Sequence, residues 1–154
     1  MSDELTKGLR RNKHLARHLT ELGCLLRREV RPEDLLSLDE TEVLLGRTAK
    51  RTPGHKETFP FAEKARGSLS PLVHAFQNDF VYLWTALTND CGVHRAVPLA
   101  DIDFNFPFEF SPEGILSVVS QDLGDRILLD WYEEGGVELL DFEVIGPRWS
   151  AVNS

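Results

Sequence analysis

Sulfur is scarce in this chain: 154 residues carry two cysteines and one methionine. Cys24 and Cys91 stand far apart and in no metal-like cluster, which excludes a disulfide-stapled mini-protein and a thiolate zinc centre. They read as two reduced thiols, and the expectation is a cytoplasmic setting. Long apolar runs are missing too. Nothing approaches the roughly 18 residues of a membrane span, and the N-terminus lacks the apolar core of a signal peptide. There is no phosphate-cradling glycine loop, no G-x-S-x-G elbow, no internal repeat and no low-complexity tract. The five histidines, His14, His18, His55, His74 and His94, fall in unrelated contexts and assemble no catalytic triad. The expectation is therefore a protein without cofactor or metal.

What is present is acid, unevenly placed. The net charge is −8, but residues 1–56 carry +3 and residues 57–154 carry −11. An acidic second half repels nucleic acid and anionic membranes and attracts basic surfaces.

The most informative stretch is Arg126–Ile145, RILLDWYEEGGVELLDFEVI. Two apolar-rich runs flank Gly135-Gly136, which supplies the positive φ of a two-residue hairpin loop. If Gly135 and Gly136 are the loop, Glu134 pairs with Val137, Trp131 with Leu140 and Leu129 with Phe142; a loop at Glu134-Gly135 keeps the same faces. Ile127, Leu129, Trp131, Leu140, Phe142 and Val144 share one face, where burial is worth roughly 1.5–3 kcal/mol for each side chain. The other face carries Leu128, Asp130, Tyr132, Leu139, Asp141 and Glu143. In the Gly135-Gly136 register Asp130 lies opposite Asp141, and like charges across a strand pair cost stability.

Before the hairpin, apolar residues at helical spacing predict a basic amphipathic helix from about Asp3 to Leu22, with Gly23 as its stop. His14 and His18 fall on its polar side, one turn apart, and read as exposed decoration, because Leu15 stands where a zinc protease needs Glu. Pro32 opens a second helical zone, and Asp39-Glu40-Thr41-Glu42 enters a helix ending near Arg51. Those acids stand where a recognition helix would meet phosphate, which argues against DNA reading.

Lys50–Thr58 reads as a loop. Phe59 and Phe61 anchor the chain to the core. Ser70–Asn78 is predicted helical and Phe80–Leu87 extended. Asn89–Gly92 reads as a turn and Val93–Val97 as a strand. Pro98–Phe110 reads as an edge strand interrupted by Pro107, with Asp101, Asp103, Asn105 and Glu109 on one side and Ile102, Phe104 and Phe106 on the other. A flat strand cannot wrap a calcium ion, but its acids widen the acidic surface. Cys91 and His94, three apart, are half of a metal site or a thiol–base pair by spacing alone. Ile115–Ser120 is a further strand, and Trp149 folds back over the core.

Together these elements predict a single α+β domain, 1–154, with a helical layer at 1–51. Residues 59–149 form an antiparallel meander of five or six strands with one helix near 70–78. The leading functional expectation is a non-catalytic module that caps a basic protein partner through Asp130, Tyr132, Asp141, Glu143, Asp101 and Asp103. A bacterial antitoxin or immunity protein neutralising a toxin domain is one such case. The rival is a small enzyme or ligand-binding domain with a pocket between sheet and helices, lined by Trp84, Phe104 and Trp131. Asp101 or Asp130 would be its acid–base groups.

Overall fold

A computed structural model describes residues 3–47, 55–61, 69–104 and 114–151. The fold is α+β: helices packed on a six-stranded, wholly antiparallel sheet. The elements are α1 (Asp3–Leu26), α2 (Leu38–Arg47), β1 (His55–Pro60), α3 (Leu69–Ala75), β2 (Phe80–Trp84), α4 (Thr88–Cys91), β3 (Val97–Pro98), β4 (Ile115–Ser120), β5 (Arg126–Glu134), β6 (Val137–Ile145) and α5 (Pro147–Ser150). The strand order is β1-β6-β5-β4-β2-β3, so β4, β5 and β6 form a true meander while β1 and β2 close on its two sides.

Of the two registers its sequence allows, the hairpin takes the one with Gly135-Gly136 as the loop. Glu134 faces Val137, Leu129 faces Phe142 and Asp130 faces Asp141. Gly135 and Gly136 both take positive φ, +60° and +82°, the turn that matches strand twist. On the inner face Ile127, Leu129, Leu140, Phe142 and Val144 are buried, joined by Val81 and Leu83 of β2 and Leu116 and Val118 of β4. Leu22, Leu25, Leu69 and Leu72 close the core from α1 and α3. No helix among the described residues is long and apolar enough to cross a membrane.

Several boundaries differ from expectation. α1 runs through Gly23 to Leu26, because burying Leu25 and Leu26 outweighs the roughly 1 kcal/mol cost of an interior glycine. It ends instead at Arg27 (φ 54°), with the Arg28 N–H returning to the Gly23 carbonyl at 3.1 Å, a Schellman closure. Pro32–Asp34 forms only a 3₁₀ turn. α2 is opened by a reciprocal box, Glu40 N–H to Ser37 Oγ (3.1 Å) and Ser37 N–H to Glu40 Oε1 (3.2 Å).

Residues 55–58 of the expected loop are strand β1, paired with β6. An edge strand needs apolar side chains on one face alone, and Phe59 is the one it buries. Thr88–Cys91 is a helical turn, and the expected 93–97 strand narrows to Val97–Pro98. Leu99–Asp101 is a 3₁₀ turn, so Asp101 and Ile102 do not belong to an extended strand; Asn105–Phe110 lie outside the described residues.

Trp149 does return to the core and is fully buried. Asp125, itself 2% exposed, accepts the Arg148 and Trp149 backbone N–H groups on Oδ1 at 3.0 and 3.1 Å. Asp79 takes the Trp149 indole N–H at 3.2 Å and the Arg148 guanidinium at 3.0 Å. Gly146, at φ +112°, lies against the Asp125 carboxylate and the Gly124 carbonyl where a Cβ has no room. Replacing Asp125 with Ala orphans the buried Trp149 N–H and the part-buried Arg148 N–H and is expected to cost about 2–3 kcal/mol in urea unfolding. Asp125→Asn, which keeps an acceptor, loses less.

Candidate functional site

The outer face of the sheet is where the acids collect. Alternation sends Leu128, Asp130 and Tyr132 of β5 outward beside Leu139, Asp141 and Glu143 of β6 and Lys56, Thr58 and Pro60 of β1. Asp141 is held from two sides: the Thr58 hydroxyl donates to its Oδ1 at 2.6 Å and the Tyr132 hydroxyl to the same atom at 3.1 Å. Glu143 is ion-paired to Lys56 at 3.4 Å. Asp130 has no hydrogen bond or ion pair with any described residue. Partial burial pushes its carboxyl above the ordinary range, and the charges of Asp141 and Glu143 add to the shift. The Tyr132 phenol is likewise raised, by burial first and by its bond to Asp141 second. A second like-charged pair, Glu133 opposite Glu138, lies on the other face, beyond Trp131 and Leu140 near the hairpin tip.

Four of the expected contact residues, Asp130, Tyr132, Asp141 and Glu143, are therefore one patch. Asp101 and Asp103 are not part of it. Asp101 closes the turn after β3, and the Asp103 N–H donates to the Leu25 carbonyl at the end of α1 (2.7 Å). β3 is four strand positions from β6, roughly 19 Å at sheet spacing.

Trp84 and Trp131, expected to line one inner pocket, lie on opposite faces of the sheet. Trp131 is on the core side, edge-on to Phe61 with ring centroids 6.5 Å apart. Trp84, opposite Ser117, is on the outer side, and the two indoles cannot line one cavity. The space between sheet and helices is filled by the leucine core. A cavity of about 270 Å³ lies instead on the outer face, beside Trp84 and Arg126.

A buried polar layer, which the sequence reading missed, lies between α1 and residues 85–95. His18 is completely buried, not exposed; its Nε2 donates to the Gly92 carbonyl at 2.9 Å, while Nδ1 has no partner. It stands three residues from Leu15 and four from Leu22, on the apolar stripe, and that spacing was the available signal. Burial drives its pKa down to about 4 against the Gly92 bond, with His94 and Arg11 pushing the same way. Glu21 is 1% exposed, and burial raises its pKa against the opposing pull of the Thr85 side chain and the charge of Arg17.

His94 is bridged by Arg28 (3.0 Å) and its own chain at the Arg95 carbonyl (2.7 Å). Its spacing partner Cys91 instead points its thiol at the Arg11 carbonyl, 3.9 Å away. Burial, with Asp90 nearby, lifts that thiol to about 11, so it stays protonated at neutral pH. His14 faces Asp90 at 4.0 Å. Among the described residues no group of three or more His, Cys, Asp or Glu side chains is placed to hold a metal.

Comparison with known proteins finds no matching family model, curated protein or solved structure.

Two stability measurements follow from these groups. Asp130 binds its proton more tightly when folded, so its contribution falls as pH rises from about 4 through the raised value. Asp130→Asn is expected to stabilise by about 0.5–1 kcal/mol at neutral pH and by nothing below about pH 4. His18 behaves in the opposite sense: the unfolded chain takes a proton near pH 6.5 and the folded one only near pH 4. Stability is then complete above pH 6.5 and falls by about 3 kcal/mol on acidification to pH 4. Unfolding curves across that window should show the slope, and His18→Leu should flatten it while lowering stability overall.

Proposed function

We propose that the outer sheet face is a docking surface for a basic protein partner, and that this protein acts by capping that partner rather than by catalysis. The observation that carries the reading is the unpartnered Asp130, set directly across from Asp141 at a cost to folding. A repulsive pair relieved by an incoming cation adds to affinity what it subtracts from stability. Tyr132 and Leu139 stand beside the carboxylates and supply contact area of the kind that anchors interfaces. The excess of −11 over residues 57–154 accelerates encounter with a positive surface. Neutralisation of a basic toxin domain, as by a bacterial antitoxin or immunity protein acting in the cytoplasm, is the biological form that best fits a small acidic cap.

The reading is tested by tagging the chain, capturing its partner from a lysate of its source at low and high salt, and identifying that partner by mass spectrometry. One basic protein held at low salt and released at high salt is expected. Asp130→Lys should abolish capture while raising the stability of the free chain, which separates lost contact from lost fold. Asp101→Lys, on the far side of the sheet, should leave capture intact. Capture indifferent to Asp130→Lys and to Asp141→Lys would overturn the proposal.

A further inference from the structure

The outer face has a second half of different chemistry. Toward β2 and β4 the carboxylates give way to Trp84, Ile115, Val119 and Leu128, and Leu45 of α2 stands over them. These residues and Arg126 line the cavity of about 270 Å³. Arg126, opposite Val119, has its Nε shut off from solvent and bonded to nothing. No described residue pairs with its guanidinium. Lys56, on the same face, is by contrast already engaged by Glu143. The Trp84 indole N–H is fixed by Asn89 Oδ1 at 3.0 Å, so the aromatic wall is set in place before anything arrives.

An unpaired, half-buried cation with its Nε shielded from solvent, at a largely apolar cleft, is a recognition element without its counterpart. A guanidinium fork matches a carboxylate bidentately. A dianion such as phosphate meets stronger repulsion from the surrounding acid, whereas a monoanion with an apolar body gains the walls as well as the charge. The volume lies just under the roughly 300–1,000 Å³ of drug-sized sites, so the ligand is small. We infer that this cleft binds a small organic carboxylate, its acid group on Arg126 and its aromatic or branched apolar body against Trp84, Ile115 and Leu128. The site stands on residues other than the acidic patch and does not depend on the partner proposed above.

The test is a titration of the ¹⁵N-labelled full chain with phenylacetate and 4-methylpentanoate, followed by NMR, with phenylacetamide as the uncharged match. Saturable shifts at the Trp84 indole N–H and the Arg126 Nε–H are expected, with the Trp131 and Trp149 indoles on the inner side unmoved. Phenylacetamide should bind at least tenfold more weakly than phenylacetate, and Arg126→Gln should weaken both acids by at least tenfold. No shift with either acid, or equal binding of acid and amide, overturns the inference. The acid–amide comparison uses the unaltered chain, so it decides the matter even if Arg126→Gln fails to fold.

Discussion

The parity of the Gly135–Gly136 turn governs the sheet. With both residues at positive φ the loop holds two residues, and each position along β5 and β6 is committed to a face. A slip of one residue between the strands would keep one strand's apolar face buried and turn the other's to water. A slip of two would keep both faces but set Asp130 against Leu139 or Glu143, so it is the Gly135-Gly136 loop that sets carboxylate against carboxylate. In this register the repulsion is relieved only by changing a side chain or by supplying a cation. Tyr132 and Thr58 solvate Asp141 and Lys56 neutralises Glu143, which leaves the whole imbalance on Asp130.

The helical layer is joined differently from the sheet. Arg28 reaches His94, the Thr41 hydroxyl takes the Val93 N–H at 3.0 Å, and the Leu36 N–H reaches the Val93 carbonyl at 2.8 Å. Thr85 and Thr88 close on each other within the same region. Polar bonds between distant segments hold residues 28–41 against residues 85–95, where the sheet relies on apolar area. Such bonds fix geometry at little net gain; the buried His18 makes this layer sensitive to acid, while Glu21, whose pKa is raised by burial, acts in the opposite sense and costs stability as pH rises.

The hairpin was legible in the sequence because period-2 alternation and a Gly-Gly loop are strong local signals; the face of each acid followed from them, while the choice between two registers of equal parity is made by the structure. α1 was legible in place but not in its C-terminal boundary, since tertiary burial of Leu25 and Leu26 overrode a glycine. His18 was misread because its positive neighbours drew it to the polar side, although its spacing to Leu15 and Leu22 placed it inside. β1 was missed because an edge strand of polar residues carries no hydrophobic period. Asp101 and Asp103 were misplaced because alternation in a short run does not distinguish a strand from a 3₁₀ turn. Arg126 could have been singled out as the lone basic residue between Arg95 and Arg148. Its lack of a partner is a fact of three dimensions.

The two outermost strands impose a limit on how anything can join this sheet. β3 is two residues long and ends in Pro98, which has no N–H to offer; β1 ends in Pro60 and carries Lys56. Neither presents the long, flat row of free amides and carbonyls that strand addition requires. Continuation of the sheet by a neighbouring chain, whether a partner's extended segment or a growing fibril, is disfavoured at both ends.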